Sequence, residues 1–172
     1  MPVAIVPYDE RWPKLAEAAI AELLAALPGK VRVAEHIGST AVPGLAAKPI
    51  IDIMAAVDDL AEVDEGALAA LGYERLETGM PRRLSYHRAR GQQRNLHVVE
   101  LATWETRKER IMRDHLCAHP DDARLYADAK RRLAASGLSG DDYGRAKTGV
   151  IQQIMDRAHD ERGLPREPVW EE

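Results

Sequence analysis

The chain has 172 residues, a formal charge of −4 and no Phe. That length fits one domain with its own core, and the negative balance argues against a general nucleic-acid binder, which needs surplus Lys and Arg to neutralise phosphates. A single cysteine, Cys117, excludes an intramolecular disulfide and fits a reducing, cytoplasmic setting. No apolar run nears the roughly 18–20 residues of a membrane span, and the first residues lack the basic-then-apolar pattern of a secretory signal.

A first helix is expected to start near Asp9, a good N-cap, with Pro13 tolerated in its first turn. Leu15, Ala19, Leu23 and Leu27 recur near helical spacing until Pro28-Gly29 stops them. Residues 31–37 read as a strand, and residues 38–48, with Gly38, Pro43 and Gly44, as a loop holding one helical turn. Residues 50–57 are an apolar run broken by Asp52, as in a strand buried on both faces. A helix is expected over 58–71, ended by Gly72, and strands over 73–77, 83–90 and 94–101, with Gly91-Gln92-Gln93 turning a hairpin between the last two. From Thr103 the pattern is helical, divided at His119-Pro120 and again at 136–140. The last helix covers residues 141–162, and the Pro-bearing tail, 164–172, reads as loosely ordered. The sum is an α+β fold: a mixed β-sheet flanked by helices, with a helical C-terminal part, forming a single domain over residues 1–163.

The stretch from Glu35 to Ile53 carries the chemistry. A strand runs into Gly38-Ser39-Thr40, where glycine lets the backbone approach a ligand and two hydroxyls add polar contacts. A helical turn there would aim its amides at an anion, and Lys48 could add a point charge. Asp52 sits in mid-strand, where a charge is costly unless paired or bound to a cation. One reading ties it to Lys48 or His36; the other makes it a ligand for a hard cation.

The string His36-Ile37-Gly38-Ser39-Thr40-Ala41-Val42-Pro43-Gly44-Leu45-Ala46-Ala47-Lys48-Pro49-Ile50-Ile51-Asp52-Ile53 resembles the GrpB family, a branch of the nucleotidyltransferase superfamily. Asn95-Leu96-His97-Val98-Val99, Arg113-Asp114-His115-Leu116 and the pair Tyr143 and Lys147 continue that resemblance in order. It implies a nucleotidyltransferase-like fold, with the Gly-Ser turn on a triphosphate and strand carboxylates on divalent metal, Mg²⁺ or Mn²⁺. Such strands place two acids two residues apart on one face; here the second position is Met54. The third acid is either replaced by His97, which matches the family pattern, or supplied by Glu100, and a regular strand sends those two to opposite faces.

The expected site is therefore Asp52 and His97 for chemistry, Asp52 and Glu100 for metal, and His36, Gly38, Ser39, Thr40, Lys48, Arg82, Arg83 and Lys147 for a nucleoside triphosphate or other small phosphorylated ligand. His115, His119 and His159 read as surface residues. Arg107, Lys108, Arg110 and Arg113, mixed with acids, read as a solvated helix face. Two functions stay open: metal-dependent nucleotidyl or phosphoryl transfer to an unknown acceptor, and a nucleotide- or coenzyme A-related phosphate-binding module that has lost catalysis with its second acid. No feature marks an oligomeric state.

Overall fold

The computed structural model describes residues 4–138 and 140–169. Five strands form one sheet: β1 (Val31–Ile37), β2 (Ile51–Val57), β3 (Glu74–Leu76), β4 (Arg83–Arg88) and β5 (Arg94–Glu100), in the order β1-β2-β5-β4-β3. Only the β2–β5 pair is parallel, so the sheet is mixed. The helices are α1 (Trp12–Ala26), α2 (Glu65–Ala70), α3 (Lys108–Ala118), α4 (Pro120–Ala135) and α5 (Gly140–Glu161). Among the described residues, no helix is long and apolar enough to cross a membrane.

Alternation along β2 sorts the two faces. Ile51, Ile53, Ala55 and Val57 point to a core with Trp12, Ala16, Ala19 and Leu23 of α1 and Leu96 and Val98 of β5. Met54 and Ala56 point the other way, to Ile37, Val99 and Trp104. Beyond them α3, α4 and α5 make a third cluster around Ile111, Leu116, Ile154 and Met155. Asp52 shares the face of Met54, so it looks toward the helical half of the molecule.

Several expectations need adjusting. Helix α1 starts at Trp12, not at Asp9; the Asp9 carboxylate instead accepts the Arg11 amide at 2.9 Å, one residue ahead of the helix. The helix expected over 58–71 is a 3₁₀ turn, Leu60–Glu62, followed by the short α2, because Asp59 and Asp64 each accept a backbone amide and start a new element. The arginines of α3 are not a solvated face. Arg110 and Arg113 reach back to Glu35 of β1 at 3.2 and 2.8 Å, with Arg110 also over the Trp104 ring. His115 and His159 are buried, not on the surface. Tail residues 164–169 have no regular structure, yet Lys108 donates to the Pro168 carbonyl and the Val169 amide to Gln152 at 2.9 Å. Residues 170–172 of the expected tail, with Trp170, lie outside the described residues.

Candidate functional site: a cleft between the sheet and the C-terminal helices

The Gly38-Ser39 corner and Asp52 meet directly. Register pairs Ile37 with Asp52, so the end of β1 delivers Gly38 to the start of β2. Gly38 has φ +77° and ψ −173°, a combination open to glycine almost alone. A Cβ on it would lie 2.5 Å from Asp52 Oδ2. Glycine is thus required twice, for its backbone and for the space the carboxylate fills. A 3₁₀ turn, Ser39–Ala41, follows.

Asp52 is held by its neighbour on β5. Asn95 Nδ2 donates to Asp52 Oδ1 at 2.9 Å. The Asn95 carbonyl is then the acceptor for His87 Nδ1–H, 2.8 Å away on β4. This His87–Asn95–Asp52 chain orients the carboxylate while leaving Oδ2 turned to the Gly38 corner. Burial pushes the Asp52 carboxyl up to about 6, opposed first by the Asn95 hydrogen bond and then by the charges of Lys147 and Lys48.

A cleft of about 580 Å³ opens beside this corner, within the range of small-ligand sites. Its floor is Asp52, Asn95, His97 and Ser85 from the sheet; its far wall includes Lys130 of α4 and Tyr143 and Lys147 of α5. His97 and Ser85 face each other in the β4–β5 register. His97 Nδ1 and Ser85 Oγ are buried without a protein partner. Burial, and then the Arg83 charge, lower His97 to about 4, so the ring is neutral near pH 7.

Lys130 is the least expected member. Its side chain is buried, its Nζ lies 3.0 Å from Ser39 Oγ and 4.6 Å from the Tyr126 ring centroid, and no carboxylate among the described residues is within ion-pair distance. Burial, reinforced by Lys147 and Lys48, lowers it to about 8. A buried ammonium beside a hydroxyl, two further lysines and an open cleft is a strong demand for an anion.

Other predicted residues fall elsewhere. His36 shares the face of Ile53, opposite Asp52, and does not line the cleft. Its Nε2 lies 2.8 Å from Thr40 Oγ1, which donates onward to the Ile50 carbonyl at 3.3 Å, so both side chains brace the loop even though Thr40 borders the cleft. Burial lowers His36 to about 4. Glu100 and Arg82 also lie outside the cleft lining. Glu100 has the opposite strand parity from His97, and Arg82 is beside it, at 3.9 Å. Arg83 does line the cleft, but it is paired with Glu109 at 2.6 Å. Lys48 and Lys147 both line it. Reasoning from sequence gave no site role to Asn95, Ser85 or Lys130; the only trace of Lys130 is the basic run at residues 130–132.

The donor set tests the metal expectation. The position two residues after Asp52, where a second acid is expected, holds Met54, fully buried in the apolar layer, and of the two candidates for the third, His97 lines the cleft while Glu100 does not. One carboxylate fits a single Mg²⁺ or Mn²⁺ completed by ligand oxygens and water; a pair of ions bridged by protein acids does not fit.

Comparison with known proteins agrees with this architecture. The family model described as GrpB protein matches residues 2–157. UPF0157 protein SCO7215 of Streptomyces coelicolor is 40% identical over 159 residues, covering 91% of this chain and 84% of that one. A dephospho-CoA kinase of Mycolicibacterium paratuberculosis is 43% identical over 81 residues, 44% of this chain but only 20% of the kinase. The crystal structure of conserved protein GrpB from Enterococcus faecalis superimposes with a TM-score of 0.84 at 28% identity, covering 93% of this chain and 99% of that one. Terminal uridylyl transferase 4 from Trypanosoma brucei with bound UTP reaches a TM-score of 0.53 at 18% identity, over 97% of this chain and 61% of that one, a likeness of fold alone. By sequence and by structure, this chain belongs to the GrpB family, on a fold of the nucleotidyltransferase kind.

Proposed function

We propose that the cleft binds a nucleotide or related coenzyme through its polyphosphate, with one divalent cation between Asp52 and the phosphate oxygens. The observation that carries this reading is the pairing of opposite charges on one corner. Asp52 abuts Gly38, and the buried ammonium of Lys130 sits on Ser39 Oγ next door. Phosphate oxygens would answer Lys130, with Lys48 lining the same cleft, and a bound cation would answer Asp52. The absence of acids at Met54 and at the cleft-lining His97 favours binding over two-metal transfer.

Nucleotidyl or phosphoryl transfer is the second reading, favoured by Ser85 Oγ and His97 Nδ1, both buried and unpartnered at the cleft floor. A neutral His97 could accept a hydrogen bond from an acceptor hydroxyl and position it.

Melting curves with ATP, UTP, tripolyphosphate and dephospho-CoA, each with Mg²⁺ or Mn²⁺, test both. Binding predicts a rise in Tm that Asp52→Ala and Ser39→Ala remove; no rise with any probe sinks both readings. Pyrophosphate release or a nucleotidylated product, lost in Asp52→Asn, selects transfer. A shift without turnover selects the binding module.

A further inference from the structure

His115 lies in the last turn of α3 and His119 is the residue that caps its C-terminal end, its amide donating to the His115 carbonyl at 2.9 Å, which keeps the two one turn apart. Their rings lie side by side, with centroids 4.2 Å apart and planes tilted by 36°. The last turn of α5 brings Glu161 to the same place. Its Oε2 is 2.6 Å from His119 Nε2 and 3.5 Å from His115 Nδ1. One ligand atom from each residue fits within a 4.8 Å span.

The hydrogen bonding of His115 matches that of a metal-binding imidazole. His115 Nε2 lies 2.7 Å from Asp122 Oδ2, and a carboxylate there can only accept, so Nε2 carries the proton. In a neutral ring, Nδ1 then turns its lone pair toward Glu161 Oε2 at 3.5 Å. Nδ1 and Oε2 thus present two acceptors to each other, an arrangement a bridging cation would stabilise. The Asp122–His115 contact is also the support that metal-binding histidines use: a carboxylate on the far nitrogen fixes the ring and its tautomer. Asp122 is in turn held by Arg157.

The distances suit zinc. With Zn–N and Zn–O bonds of about 2.0–2.2 Å, tetrahedral ligand atoms lie roughly 3.3–3.5 Å apart. His115 and Glu161 are already at that spacing. Glu161 must withdraw from His119 by less than about 1 Å to reach it, and its side chain is 56% exposed. Because His119 is also partly open, an ion can enter and keep water as its fourth ligand. Two imidazoles and one carboxylate favour a zinc-class ion over Mg²⁺ or Ca²⁺.

We propose that His115, His119 and Glu161 form a zinc-class metal site that staples the C-terminal ends of α3 and α5, apart from the cleft. Tag-free, chelator-stripped full-length protein, titrated with Zn²⁺ by calorimetry at neutral pH, tests it. The expected result is one equivalent bound at micromolar Kd or tighter, with a rise in Tm. His119→Ala and Glu161→Gln, both at solvent-accessible positions, each lower the affinity at least ten-fold. Asp122→Asn weakens it by about 10–100-fold through the ring it supports, and Asp52→Asn leaves it unchanged. Co²⁺ in place of Zn²⁺ gives the visible bands of a tetrahedral complex. Absence of Zn²⁺ binding overturns the proposal. So does binding that survives His119→Ala and Glu161→Gln, or that disappears only in Asp52→Asn.

Discussion

The two faces of the sheet solve opposite problems. Against α1, every inward position of β2 is Ile, Ala or Val, and Trp12 and Leu23 close over them. Toward α3–α5, the same strand presents Asp52, and the neighbouring strands add Asn95, His97 and Ser85. One face gains stability by removing apolar surface from water. The other holds charges out of water, with Asp52 shifted up and Lys130 shifted down by burial. A single alternating strand therefore gives a wholly apolar face toward α1 and, on the other, sets Asp52 at the edge of the smaller Met54–Ala56 apolar layer, because successive side chains cannot share a face.

Truncation of the apolar face should show the largest stability effect. Trp12→Ala should lose about 3–5 kcal/mol in urea denaturation, as buried aromatic deletions do, while the folded fraction still responds to nucleotide. Equal loss of ligand response would break the division of labour.

Gly38→Ala should damage both functions at once. The backbone conformation alone costs about 1–3 kcal/mol for a non-glycine residue, and the new methyl collides with Asp52. Denaturation and nucleotide titration should both register the change. Retained binding would mean that the corner is not where the ligand sits.

Lys130→Met should separate the faces most cleanly. Tripolyphosphate affinity should fall about 30-fold or more, the ~2 kcal/mol expected for removing one partner of a buried charge pair. The unliganded protein should become more stable at neutral pH. Lys130 has an ordinary value of 10.5 and falls to about 8 when folded. Between those values the unfolded chain binds more protons, so this group makes stability rise with pH. The variant should lack that rise, and wild-type phosphate binding should weaken as pH climbs through 8.

Asp52→Asn should act chiefly through this carboxyl's titration, a stability gain at pH 7 of no more than about 3 kcal/mol, reduced by the loss of the Asp52 contacts. The carboxyl moves from 3.8 to about 6 on folding. The native state therefore binds more protons between those values, and stability from this group falls as pH rises from 4 to 6, then stays flat. The gap between variant and wild type should open across that interval in denaturation curves. A constant gap would place Asp52 in water, not in the protein interior.

Much of this was legible along the chain. The Gly38-Ser39 corner, the lone acid in an apolar strand and the missing second acid at Met54 are local features, and so is the parity argument that sets His97 and Glu100 on opposite faces. Reading His36 as a ligand residue failed on the same parity, which puts it with Ile53. Arg82 and Arg83 looked equivalent in sequence, but one lines the cleft and the other stands beside Glu100.

By itself the sequence determined the elements, the glycine corner and the chemistry that corner invites, because periodicity, turn residues and burial costs act over a few neighbouring positions. Tertiary structure alone decided which residues gather there. Parallel pairing set Asn95 beside Asp52, and the packing of α4 carried Lys130 to a serine 91 positions away. Helix ends likewise met to join His115 and His119 with Glu161. Such contacts depend on how apolar faces far apart in the chain find each other, and no local pattern of residues encodes that distance.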